Sequence, residues 1–327
     1  MNLKVSYASS VKLGLRKGII DFPLETIYVM VGEKCRNSCK FCSQSITSST
    51  CSNYLSRITW QNVSEAELLN ALNRANGIER ICLQIVSDED SLNMLKSLVE
   101  SLILISINNF KISISIASTN IEYLKTLFKI GADTITIPLD CVKLETYEKI
   151  KGNDFNKKVE TLMNLSQIYK GKVGTHLIYG LSDTIEDFYK MMSFLKSNSI
   201  NTGLFSFTPI IGTELENLPK PDLSSYRKVQ VLRNLIYEDI SFEPEFNSSG
   251  ELIKLNIKIG DLGKADKLIK SGRPFLTSGC DKCTRPYYND NPGKELYNFH
   301  RPLDINEVKE CIYEFLNGLD SNLNNFI

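Results

Sequence analysis

The sequence shows no excess of either charge. Lys plus Arg and Asp plus Glu each number 38 among its 327 residues, so the formal net charge is zero. No Lys/Arg run forms a basic arm, and no long-range field would draw in a polyanion, which argues against nucleic acid as the main partner. Long apolar runs are also missing. The most apolar window, residues 98–107, is about ten residues long, contains Glu100 and is too short to span a bilayer. The first seven residues carry no charged head followed by a long apolar stretch, so no signal peptide is expected. No internal repeat and no low-complexity tract stands out. What is present is 42% hydrophobic and 23% charged residues, the balance of an ordinary globular protein. The length suits one barrel-sized domain with an extension. The expected location is the cytoplasm, with neither membrane nor nucleic acid as partner.

Cysteine, by contrast, is plentiful. Nine is an odd number without a secreted context, which reads as metal ligands or reduced thiols rather than disulfides. Cys35, Cys39 and Cys42 follow the spacing C-x3-C-x2-C. Three thiolates so spaced can hold three irons of a [4Fe–4S] cluster, which normally takes four. The open iron can bind a small molecule, which marks a catalytic site rather than an electron carrier; a zinc site or ordinary cysteines are the alternatives. Cys280 and Cys283 form a C-x2-C loop behind Gly279. Two more ligands would complete a zinc or iron–sulfur site there; two reduced thiols are the bland reading. Cys82 is the preferred third ligand, although a buried cysteine is also a common small hydrophobe. Cys51, Cys141 and Cys311 share no spacing with a partner and read as ordinary thiols.

From about residue 25 to 240, short β-branched runs alternate with helix-period segments, the pattern of βα units around a parallel sheet. Strands are expected at 26–30, 80–86, 111–116, 133–137, 172–179 and 203–207. The intervening segments at 65–76, 92–105, 121–130, 143–169, 183–196 and 222–239 carry the helices. Ser64 and Glu67 form a capping box, and Gly131 stops a helix. Six such units predict an α/β fold, a partial TIM barrel (β/α)6, against the eight of a complete barrel. Residues 1–24 form a lead-in and 25–240 the barrel. Residues 241–327 form a C-terminal extension that closes the barrel mouth and carries the second cysteine pair. Within it, a strand is expected at 252–259 and a helix at 261–270; 272–302 is irregular, Asp304 caps a last helix, and 321–325 look like a frayed tail. Ligands in parallel (β/α) folds sit at the carboxyl ends of the strands, where the Cys35–Cys42 loop begins.

The cysteine loop, with aromatic Phe41 before its last thiol, resembles that of the radical S-adenosylmethionine (SAM) enzymes. The resemblance implies that the open iron chelates SAM and that an electron cleaves it to methionine and a 5′-deoxyadenosyl radical. It also implies that Phe41 lies near the adenine. Residues 175–184 (THLIYGLSDT) resemble a strand-five motif in which Ile178 would pack on adenine, with Gly180 inside the motif and Asp183 where glutamate is preferred. Pro138-Leu139-Asp140 resembles the segment whose aspartate binds the SAM ribose. The family's glycine-rich strip would fall on Gln84-Ile85-Val86, a departure.

Within the superfamily the loop is similar to that of biotin synthase, and residues 80–83 to its strand-two segment. Two further ligand cysteines of that enzyme are absent at Ser113–Ser115 and at Gly174-Thr175, so this is not an ordinary biotin synthase. Residues 204–213, 226–230 and 279–289, with Tyr297-Asn298, resemble the two-protein lipoyl synthases found mainly in archaea. That resemblance implies sulfur insertion into the octanoyl chain of a lipoyl carrier protein. It further implies an auxiliary iron–sulfur cluster on Cys82, Cys280 and Cys283, with Arg285 or Ser278 as a non-cysteine fourth ligand. A companion radical SAM subunit and an electron donor such as ferredoxin or flavodoxin would complete the system. The alternatives are another biotin synthase-like enzyme whose second cluster donates no sulfur, or a non-catalytic iron–sulfur or zinc scaffold. His176 reads equally as a polar core residue or a catalytic one, and His300 as structural. Tyr287, Tyr288 and Tyr297 either pack the loop or line a channel for an alkyl chain.

Overall fold

The structure is a computed structural model that describes residues 2–86, 89–105 and 110–325. Ser106 and Ile107 of the apolar window therefore lie outside the described residues. Six strands run parallel in chain order: β2 (Thr26–Val31), β5 (Arg80–Ile85), β6 (Lys111–Ser115), β7 (Thr134–Thr136), β8 (Val173–Tyr179) and β9 (Ile200–Ser206). Helices α2 (Glu65–Arg74), α3 (Glu89–Leu104), α4 (Ile121–Lys129), α5 (Leu144–Ile150), α6 (Phe155–Ile168), α7 (Ile185–Ser197) and α8 (Leu223–Tyr237) join or follow them. The sheet curls into the expected partial barrel. Its apolar core lies between strands and helices, where strand residues such as Ile27, Val29, Ile81 and Leu83 are fully buried. The segment 143–169 divides into α5 and α6 because the chain turns at Gly152, whose φ of +129° disfavours any residue with a Cβ. Ser64 and Thr184 both cap their helices in capping boxes, with Glu67 and Asp187 reaching back.

Among the described residues five further strands escape the sequence patterns, three of them at one edge of the large sheet. β1 (Leu3–Ser6) pairs antiparallel with β2 and with β4 (Ile58–Val63), and β3 (Tyr54–Leu55) completes that edge. β1 is only four residues long and includes Lys4, whose buried ammonium donates to Ser52 O at 2.8 Å. Its helix α1 (Tyr7–Lys12) then leads the chain back to β2. The expected frayed tail is a correction. Strand β12 (Asp320–Ser321) pairs with β11 (Leu252–Ile257), which also pairs with β10 (Phe242–Phe246). Leu323 just beyond is fully buried, and burial of one leucine outweighs the loop-like composition around it.

The extension continues through α9 (Leu262–Lys270) to a strap, residues 276–290, and then through α10 (Ile305–Leu316) to β12. The strap joins the two ends of the parallel run. Thr284 and Arg285 donate their backbone N–H groups to the Tyr28 hydroxyl on β2, at 2.9 and 2.8 Å. Toward β9, the Leu204 N–H donates to Ser278 Oγ at 2.9 Å and the Asn289 amide to Ser206 O at 2.7 Å. The extension thus closes the barrel, and the structure specifies how. Cys280–Cys283 cap the end where the strands begin, while Asn289 reaches the end where they finish. Arg227 on α8 anchors the segment between the strap and α10, donating to Glu314, Gln230, Tyr297 O and Leu296 O from a fully buried position.

Candidate functional site: two cysteine sets in one barrel cavity

A cavity of about 560 Å³ runs through the barrel, within the usual range for small-molecule sites. Cys35, Cys39 and Cys42 line it at the carboxyl ends of the strands, and Cys82, Cys280 and Cys283 line it near the amino ends. The first set sits on the loop that leaves β2. That loop is built from short turns: Cys42 N–H donates to Cys39 O at 3.1 Å and Ser45 N–H to Cys42 O at 3.0 Å. Cys35 N–H donates to Gln44 O at 3.0 Å, which closes the loop on itself. Lys40 N–H donates to Ile150 O, fixing the loop to the end of α5. Its exit rests on the β9–α8 connection, where Ser49 N–H donates to Gly212 O at 2.9 Å. A Cβ on Gly212 would stand 2.8 Å from Thr50 N, so only glycine permits this approach.

Asp140 lies at a non-glycine φ of +66°, held by its N–H donating to His176 O at 2.7 Å and its carbonyl accepting from Ile178 N–H at 2.8 Å. Strain of this kind persists where surrounding structure over-determines it, and it clusters at functional sites. Its carboxylate meets Lys151 Nζ at 2.6 Å, a nearly buried pair on the cavity wall beside Cys39. Sequence reasoning missed Lys151, because no motif marks a lysine that follows a helix by one residue. Phe41 and Ile178 line the cavity, as do Gln84, Ile85 and Val86 of the departed glycine strip. Gly180 does not: it packs behind the wall on Pro221 and Phe207. Asp183 is also outside the lining. It accepts from Val142 N–H and the Thr146 hydroxyl, and burial raises its pKa despite them.

The second set is organised by strand register. Tyr28, Cys82, Ser113 and Thr134 are neighbours across β2, β5, β6 and β7, and all four line the cavity. The strap lies against this row. The Tyr28 hydroxyl contacts Cys283 Sγ at 3.7 Å, and the Thr134 hydroxyl contacts Cys280 Sγ at 3.5 Å. Cys82, between Tyr28 and Thr134 in the row, lines the same cavity as both thiols. Cys283 N–H donates to Cys280 O at 3.1 Å, the tight turn that C-x2-C requires. Gly279, before the turn, holds a φ of +143° that favours glycine, and a Cβ on Gly203 beside it would stand 3.1 Å from His176 Cδ2. Ser278 lines the cavity beside this set, and its Oγ accepts from Leu204 N–H.

Burial is the leading electrostatic cause throughout. It pushes the Cys42 thiol up to about 12 and raises Cys39, Cys82 and Cys283, so without a nearby cation these thiols stay neutral. A bound metal inverts that preference, because its charge deprotonates a coordinating thiol outright. Among the described residues no three His, Cys, Asp or Glu side chains already stand in metal-holding geometry. The fit therefore rests on the donor sets: soft sulfur ligands, three and not four at each end of the cavity, which suit iron–sulfur chemistry. Cys141 and Cys311 are buried in the core and Cys51 is exposed, and none of the three lines the cavity.

His176 lines the cavity in T-shaped contact with Phe205, and His300 sits between Phe22 and Tyr287. Burial first, then the charges of Arg285 and Arg301 respectively, push both histidines down to about 4. Folding keeps them neutral while the unfolded chain protonates near 6.5, so stability is intact above that value and falls as the pH drops toward 4. Each histidine is expected to cost about 1.4 kcal/mol per pH unit across that window. Urea denaturation at a series of pH values checks this, and His300→Phe should flatten the slope.

Among the described residues no helix is long and apolar enough to cross a membrane. The sequence is 26% identical to the uncharacterized protein MJ0785 of Methanocaldococcus jannaschii over 163 residues, 48% of this chain and 43% of that protein. The fold is similar to that of methylornithine synthase (PylB), with a TM-score of 0.53 at 16% identity, covering 96% of this chain and 86% of that one. It is also similar to the [FeFe]-hydrogenase maturase HydG of Carboxydothermus hydrogenoformans, with a TM-score of 0.52 at 15% identity, covering 66% and 51%. The chain thus spans about half of HydG and less than half of MJ0785. The model of the radical SAM superfamily matches residues 29–195, from the first parallel strand through α7. With its three-cysteine loop at the carboxyl end of that strand, the chain belongs to the radical SAM superfamily, enzymes that use a [4Fe–4S] cluster and SAM.

Proposed function

We propose that this enzyme inserts sulfur into the octanoyl chain carried on a lysine of a lipoyl carrier protein, as a lipoyl synthase-type sulfurtransferase. One observation carries the reading: two sets of three thiols line opposite ends of one barrel cavity. Cys35, Cys39 and Cys42 would hold the SAM-cleaving cluster, and Cys82, Cys280 and Cys283 an auxiliary iron–sulfur cluster. When bound, the first supplies the electron that cleaves SAM to a 5′-deoxyadenosyl radical, and the second supplies sulfur. Asp140, oriented by Lys151, would accept from the SAM ribose, with Phe41 and Ile178 against the adenine. Ile114, Val173, Phe205 and Phe207 give the cavity apolar wall for an alkyl chain and keep water from the reacting carbon. A companion radical SAM subunit and a ferredoxin- or flavodoxin-type donor belong to the same proposal.

Mass spectrometry of an octanoylated carrier peptide, incubated anaerobically with the reconstituted enzyme, SAM and reductant, tests it. The expected result is a peptide that gains sulfur, with the companion subunit added where the chain alone is inactive. Deoxyadenosine release with the peptide unchanged in both settings would contradict the sulfur-insertion reading.

A further inference from the structure

One short stretch of the strap carries four polar atoms that bond to nothing. Among the described residues, Thr284 Oγ1, Arg285 Nε, Arg285 Nη1 and the Tyr288 hydroxyl are buried without a hydrogen-bond partner. Native interiors rarely leave such groups unpaired, and each one calls for an explanation. Gln44 Oε1 and His300 Nδ1 are also unpaired, but only this stretch gathers several such atoms among the described residues, and its neighbours are paired. The Tyr28 hydroxyl accepts from two backbone N–H groups, the Tyr226 hydroxyl donates to Asn298, and Arg80 pairs with Asp133 and Ser113.

Arg285 and Tyr288 both line the cavity and are 8% and 5% exposed. The Arg285 guanidinium lies 3.6 Å over the Phe205 ring, and its Nη2 donates to Ser278 O at 2.5 Å. These contacts set the plane of the fork and occupy one end of it, leaving the Nε and Nη1 hydrogens over. No carboxylate among the described residues pairs with Arg285. The Tyr288 ring is fixed between Tyr28 and Trp60, so its hydroxyl is also held in place. Tyr288 N–H donates to Arg285 O at 3.3 Å, so a single turn of the strap brings the two residues together.

We propose that Arg285 and Tyr288 form a subsite for a carbonyl oxygen, the head group of an acyl chain whose hydrocarbon runs along the apolar cavity wall. A carbonyl oxygen has two lone pairs and no hydrogen, so it can accept from both side chains at once. The inference rests on the acyl-chain reading above and adds to it where the chain is gripped. The same chemistry could come from the amide of an octanoyl-lysyl peptide or from the carboxylate of free octanoate.

Both probes are to be titrated anaerobically into the reconstituted protein and into Tyr288→Phe, Arg285→Leu and Arg285→Gln, with iron and sulfide counted in each. Tyr288→Phe should weaken the bound probe about tenfold, the worth of one lost hydrogen bond, and Arg285→Leu should weaken it further. Arg285→Gln keeps an amide donor without charge: it should retain the peptide if the amide is the ligand and lose octanoate if the carboxylate is. Ligand-free Tyr288→Phe should melt at or above the wild-type temperature, because the hydroxyl it deletes bonds to nothing. Unchanged affinity in Tyr288→Phe and Arg285→Leu would overturn the subsite alone. A wild type that binds neither probe would contradict the acyl-chain reading and remove the subsite's ligand with it. An affinity loss that merely follows loss of second-site iron and sulfide would assign the unpaired hydrogens to that site and overturn the proposal.

Discussion

Replacing Cys42 with alanine is expected to lower deoxyadenosine release from SAM by more than about a hundredfold. Losing even an outer-shell partner of a metal ligand costs 10–100-fold, and Cys42 would be a ligand itself. The loop offers no substitute: Cys141 is buried in the core, Cys51 is exposed, and neither lines the cavity. The fold should survive the change, since the turn around Cys42 is held by backbone bonds from Cys42 N–H to Cys39 O and from Ser45 N–H to Cys42 O. Anaerobic incubation with dithionite and chromatographic quantitation of deoxyadenosine check this. Release at the wild-type rate would remove Cys42 from the catalytic site.

The second large effect concerns the other end of the cavity. Cys280→Ala and Cys283→Ala are expected to reduce sulfur transfer to background while deoxyadenosine is still released. Separate strands and loops build the two sets, which is why they should fail separately. Apart from the contacts of their sulfurs with Tyr28 and Thr134, the strap is attached to β2 and β9 through other groups. Sulfurated product from the double variant would exclude this pair as holders of the sulfur donor.

The six βα units were legible because most of their strands carry β-branched residues and some helices carry their own boundary signals, as Ser64 and Gly131 do. The three-cysteine loop was legible because its chemistry lies within eight consecutive residues. Neither condition holds elsewhere. β1 is four residues with a lysine among them, and it exists because β2 and β4 on either side satisfy its backbone. The capped end for Cys280 and Cys283 could not be read from spacing. It is set by Tyr28 and Thr134, more than a hundred residues away in the chain. Lys151 and the unpaired edge of Arg285 likewise acquire meaning only from neighbours that folding brings together.

Counting iron and acid-labile sulfide after anaerobic reconstitution addresses the central claim, that this barrel holds two iron–sulfur sites on one cavity. The account predicts about eight irons per chain in the wild type and about four in the Cys280→Ala/Cys283→Ala double variant, one four-iron cluster per three-cysteine set. About four irons in both proteins would contradict it.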